Sequence, residues 1–152
     1  MKSIILILIL NLSYYNNDIN SIRNLFLEAS ISKSNCDQFG KKINDLKHDE
    51  SILLKGYEGC YYFIKCKFTH NSMEKFFYFR KGKKILESSI KKKPDSVELR
   101  FLRYTIQKNL PRFLFYYNHI DKDLIFVINN INSITDKKTQ HYIKKSLESI
   151  NK

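Results

Sequence analysis

GKKILESSIKKKPDSVELRFLRYTIQKNLPR, residues 82–112, decides the fold. A basic amphipathic helix runs into Pro94 and stops there, because the residue before a proline is pushed out of the α region. A second helix, bearing Arg100 and Arg103, runs from Asp95 to Pro111. Asp95 or Ser96 caps it, and Asp95 with Glu98 has the spacing of a capping box. Its stripe of Val97, Phe101, Leu102, Thr105 and Ile106 points inward. Two helices that each carry one apolar stripe must bury those stripes against further helices.

The rest of the chain supplies them. Asn16, Asn17 and Asp18 offer caps for a helix with Ile19, Ile22, Leu25, Phe26 and Ala29 on one side. Cys36, Phe39, Ile43 and Leu46 mark a second helix over residues 35–47. A third, capped by Asp49 and spanning residues 50–68, turns Leu53, Leu54, Tyr57, Cys60, Tyr61, Ile64 and Phe68 one way. Gly56 and Gly59 inside it each cost about 1 kcal/mol relative to alanine, so they predict close helix packing. Met73 to Lys92 forms the fourth helix, with Phe76, Phe77, Phe79, Leu86 and Ile90 as its apolar content. Beyond Pro111 a bent aromatic connector leads to a helix capped by Asp121, carrying Leu124, Ile125, Ile128 and Ile131. The last helix, capped by Asp136, carries Tyr142, Ile143, Leu147 and Ile150.

A length of 152 residues with 43% hydrophobic and 14% aromatic content is enough for a packed core and argues against disorder. Two prolines and four glycines leave long uninterrupted stretches, which favours helices over the turn-rich rhythm of an all-β fold. The expectation is an all-α domain over residues 16–152, with about six helices. Residues 1–15 read as a signal peptide: Lys2 precedes an apolar run, Ile4 to Leu10, that suits an h-region but falls short of the roughly 20 residues a bilayer span needs. That places the mature chain outside the cytoplasm, periplasmic or secreted, without a transmembrane span. The alternative is a cytoplasmic protein whose first helix is apolar.

The net charge of +12 raises nucleic-acid binding, but the lysines are spread along the chain without a helix-turn-helix, RRM or zinc-finger pattern. Cys60 and Cys66 are separated by about 9 Å of helical rise, beyond the roughly 7 Å limit for a bridge. An intrachain disulfide would have to use Cys36 with one of them; the other reading is three buried thiols. Cys66 and His70 share a helical spacing but lack a second pair of ligands, so neither metal nor cofactor is expected.

Gly82, Leu86, Ser89 and Pro94 follow one another at intervals that resemble the second helix of a tetratricopeptide (TPR) repeat, in which small residues permit close helix pairing and proline ends the unit. The overall pattern is also similar to small exported helical proteins of bacterial envelopes. The TPR resemblance implies stacked antiparallel helices with a concave face for a peptide or another protein. The alternative architecture is an irregular helical bundle.

Arg100, Arg103 and Gln107 recur at steps of three and four and share a helix face, where forked donors suit an anionic ligand. Arg80 and Arg112 are near enough in sequence to join them, and Tyr104 and Tyr116 would supply aromatic walls. The competing reading has the arginines paired with Glu58, Glu74, Glu87 or Glu98 to hold helices in register. No P-loop, dinucleotide fingerprint or nucleophile motif occurs. The sequence therefore predicts a non-catalytic module of the bacterial cell envelope that binds a protein, a peptide or an anionic small molecule. A hydrolase-like enzyme and a nucleic-acid binder are the alternatives.

Overall fold

The computed structural model describes residues 18–48 and 50–150, and within them it is all-α. The helices are α1 (residues 18–28), α2 (Lys33–Asp45), α3 (Ile52–Phe68), α4 (Ser72–Lys92), α5 (Val97–Asn109), α6 (Ile120–Asn130) and α7 (Lys137–Ile150). Two short 3-10 turns, Arg112–Leu114 and Ile131–Ser133, lie between α5 and α6 and after α6. The signal segment and the expected caps at Asn16, Asn17 and Asp49 lie outside the described residues.

Most helix starts follow side-chain caps; α6 is an exception, since His119 precedes it without a side-chain cap hydrogen bond and Asp121, the expected cap, lies inside its first turn. Ser32, Ser51, Asn71 and Ser96 each accept a hydrogen bond from a backbone N–H of the helix they precede. Ser32 starts α2 two residues before the expected position, and Ser51 starts α3 two residues late. The capping box expected from Asp95 and Glu98 does not form: Ser96 caps α5, and Glu98 turns into the core.

Contacts between α3 and α4 run in opposite directions along the two helices. Cys66 meets Lys75, Tyr62 stacks on Tyr78, and Gly59 meets Gly82, so the pair is antiparallel. The two glycines let the backbones touch. A Cβ placed on Gly59 would stand 2.9 Å from the Leu86 nitrogen, and one on Gly82 would stand 2.8 Å from the Gly59 carbonyl oxygen. Gly56 gives the same room to Leu99 and Leu102 of α5.

α5 lies at the centre. Val97, Leu99, Phe101, Leu102, Tyr104 and Ile106 are all buried, and the burial runs around the whole helix instead of along one stripe. Phe26, Phe39, Tyr57 and Phe63 complete the aromatic part of the core, with Phe26 edge-on to Tyr57 at 5.6 Å between ring centroids. Two expected stripes are rotated. In α6 the buried positions are Asp123 and Val127, while Ile125 and Ile128 are more than half exposed. In α4, Leu86 and Ile90 are buried but Phe76 and Phe77 are more than half exposed: Phe77 points about 160° away from Phe79, whereas Phe76 shares the side of Phe79 but borders an open groove.

Gly82→Ala is expected to lower stability by about 1–3 kcal/mol in chemical denaturation, since backbone atoms must move apart and the overpacking outweighs the gain in helix propensity. Gly40→Ala, which meets only the outer end of the Tyr61 ring, serves as the milder comparison.

Candidate functional site

Arg103 projects from α5 toward α6, where Asp123 is fully buried. Its Nε donates to Asp123 Oδ2 at 2.6 Å and its Nη2 to Oδ1 at 2.9 Å, a bidentate fork. The remaining Nη1 donates to Glu87 Oε2 on α4 at 2.8 Å. The other oxygen of Glu87 accepts from the Tyr116 hydroxyl, and the Tyr116 ring stacks on Phe63. Arg100 adds a donor to Asp123 Oδ1 at 3.0 Å, bonds the Pro94 carbonyl through Nε, and lies over the Phe126 ring. One turn further on, Gln107 Oε1 accepts from the His119 backbone N–H, which ties the start of α6 to α5. Gln107 Nε2 is the buried side-chain atom without a hydrogen-bond partner among the described residues.

Arg100, Arg103 and Gln107 thus share one face, and that face is covered by α6. The forks that an anionic ligand would need are committed to Asp123 and Glu87. Arg80 and Arg112 do not join them: both are exposed, Arg80 over Phe76 and Arg112 over Tyr117. Tyr104 is buried in the core and Tyr116 is closed over by Phe63 and Phe79.

A second buried cluster went unread in the sequence. Arg23 of α1 donates to both oxygens of Glu98, Nε to Oε1 at 2.8 Å and Nη2 to Oε2 at 2.7 Å. Tyr57 of α3 donates to Glu98 Oε1 at 2.6 Å and lies 3.3 Å from the Tyr142 hydroxyl of α7. Burial disfavours the arginine charge, but the Glu98 hydrogen bonds and charge outweigh it and hold Arg23 above its ordinary pKa. Burial and the neighbouring Glu98 push the Tyr57 hydroxyl up, so it stays a donor.

The three cysteines are free thiols. Burial raises Cys36 and Cys66 to about 11, and Cys60 further, which leaves them protonated near neutral pH. No group of three His, Cys, Asp or Glu side chains converges as metal ligands among the described residues. Nor is any described helix long and apolar enough to cross a membrane.

One open region is apolar. A groove of about 540 Å³ runs between the C-terminal end of α3, the first turns of α4, the C-terminal end of α5 and the 3-10 turn Arg112–Leu114. Phe63, Ile64 and Phe79 form its floor with Ile106 and Leu110, and Phe76 and Phe113 are its walls. These wall rings are 58% and 73% exposed. Lys67 and Lys75 stand among the lining residues, with Lys67 Nζ bonded to the Ser30 carbonyl. Phe115 reverses the chain just beyond the wall, at φ 50°, a left-handed conformation that costs a non-glycine residue about 1 kcal/mol or more. That reversal sends Tyr116 inward onto Phe63 and leaves Phe113 outside.

No family model, curated protein or solved structure matches the chain.

Two outcomes are expected of the clusters. Asp123→Ala leaves Arg103 and Arg100 short of their shared carboxylate in a buried setting, and unfolding should show a loss of about 3–5 kcal/mol. His119 is held below its ordinary pKa, first by burial and then by the Arg103 charge. The unfolded chain therefore binds more protons than the folded one in the window below the usual histidine pKa. The His119 contribution is intact above that pKa and is lost as pH falls through the lowered one. Thermal melts of His119→Gln from neutral to mildly acidic pH should show a shallower fall than the native chain.

Proposed function

We propose that this protein is a non-catalytic binding module that holds an anionic amphiphile, an apolar chain ending in a negative group, in the groove at the end of α5. The observation that carries this reading is the groove itself: a floor of aromatic and aliphatic side chains, two largely exposed phenylalanine walls, and lysines among its lining. A volume of about 540 Å³ lies within the range of small-molecule sites. An apolar chain asks for no hydrogen bonds from the floor, and Lys67 and Lys75 complement an anionic end. Aromatic walls left in water at this density are otherwise unfavourable for a lone chain.

A non-catalytic role is supported by the fate of the buried charges. Arg23, Glu98, Arg103 and Asp123 are each held by hydrogen-bonded partners in the interior. The apolar run Ile4 to Leu10 supports export to a bacterial cell envelope, periplasmic or secreted. The burial of Gly82, Leu86 and Ser89 along α4 supports the TPR-like description of the α3–α4 pair.

Calorimetric titration with dodecanoate tests the proposal. The native chain should bind one equivalent, and Phe76→Ser with Phe113→Ser should weaken binding about tenfold or more, a loss of about 1.4 kcal/mol. Lys75→Glu should weaken dodecanoate but leave nonionic dodecyl maltoside unchanged. Failure to bind dodecanoate, together with Phe76-dependent binding of an acidic amphipathic peptide, would replace the amphiphile with a protein segment as the occupant.

A further inference from the structure

The face of α4 turned away from the apolar groove borders a second, open cleft of about 790 Å³. Its other walls are the first turn of α3 and the joint between α2 and α3. Lys47 reaches it from the joint, Lys55 from α3, and Lys81, Lys84 and Lys92 from α4, against Glu50 as the one carboxylate of its lining among the described residues. The α4 residues that line it recur at steps of three and four and form one stripe. That stripe lies nearly opposite the positions that line the groove.

These lysines are not evenly engaged. Lys55 is held by Glu58 at 2.8 Å, and Lys81 sits 4.2 Å from the centre of the Tyr62 ring. Lys47, Lys84 and Lys92 make no ion pair with any described residue. Like charges gathered on one helix face cost stability, so folding alone disfavours this arrangement. The N-terminal end of α3 adds the positive end of its dipole at Ile52, in the cleft wall. The C-terminal end of α4 brings the opposite sign, which Lys92 offsets.

We propose that this cleft binds a small anion carrying several phosphate groups. All five cations are lysines, point charges that suit tetrahedral phosphate oxygens; a planar carboxylate is better matched by the arginine fork, and no arginine lines the cleft. Five ammonium groups around about 790 Å³ exceed what a single monophosphate neutralises. The phosphates could come from a free polyphosphate or from the phosphate chain of a nucleotide; the cleft recognises the chain they share. This site is independent of the apolar groove and does not rest on the function proposed for it.

Titration of the full chain with sodium tripolyphosphate at physiological salt tests the inference, with Lys84→Gln plus Lys92→Gln set against Lys137→Gln plus Lys145→Gln on α7. Both pairs remove the same charge from exposed positions, and melting curves verify that each variant folds. The native chain should bind one equivalent; the cleft pair should weaken it about tenfold or more and the α7 pair less than about twofold. ATP bound with the same dependence on the cleft pair assigns a nucleotide as a source, and tripolyphosphate bound alone assigns the free anion. Equal weakening by both pairs would overturn the inference, leaving diffuse attraction to a basic surface. Absence of saturable binding would overturn it as well, as would oligonucleotide affinity that rises with length while tripolyphosphate stays unbound.

Discussion

α5 is a charged helix buried on every side, and a buried charge has to find a partner. Glu98 and Arg103 are five residues apart, about 140° around the helix axis, so they point to different neighbours. Glu98 takes Arg23 from α1 and Tyr57 from α3; Arg103 takes Asp123 from α6 and Glu87 from α4. Two ionised side chains thereby set the positions of four helices around a fifth. Apolar packing alone tolerates small rotations of one helix against another, whereas a bidentate fork does not.

The same arrangement determines where ligands have room. The arginines that suit an anion are held inside by carboxylates, and the cations left outside are mostly lysines. α4 then separates two surfaces of opposite character. Its first turns present Phe76 to an apolar groove, and its later turns present Lys81, Lys84 and Lys92 to a basic cleft. The separation depends on α4 lying flush on α3, which Gly59 and Gly82 permit by bringing the two backbones into contact.

Much of the fold was legible in local spacing. The caps at Ser96 and Asp136, the stop at Pro94 and the close packing at Gly56 and Gly59 each follow from one residue and its immediate neighbours, whereas the caps expected at Asp49 and Asp121 gave way to Ser51 and to an α6 start without a side-chain cap. Stripes were harder to read where a helix carried more apolar residues than one face holds. Ile125 and Ile128 suggested the inner side of α6, yet the buried carboxylate of Asp123 rotated the helix away from them. Glu98 illustrates the same difficulty. Its spacing from Asp95 is right for a capping box, but a partner 75 residues distant, Arg23, holds it more strongly than the local N–H would.

By itself the sequence determined that the chain is helical, where most helices begin and end, and that glycines mark close contacts, because these depend on interactions within a few residues. Only the tertiary structure decided which arginines pair with buried carboxylates, which phenylalanines stand in water and which lysines gather around one cleft. Those outcomes depend on how helices rotate to satisfy charges brought together from opposite ends of the chain, and no local spacing encodes that rotation.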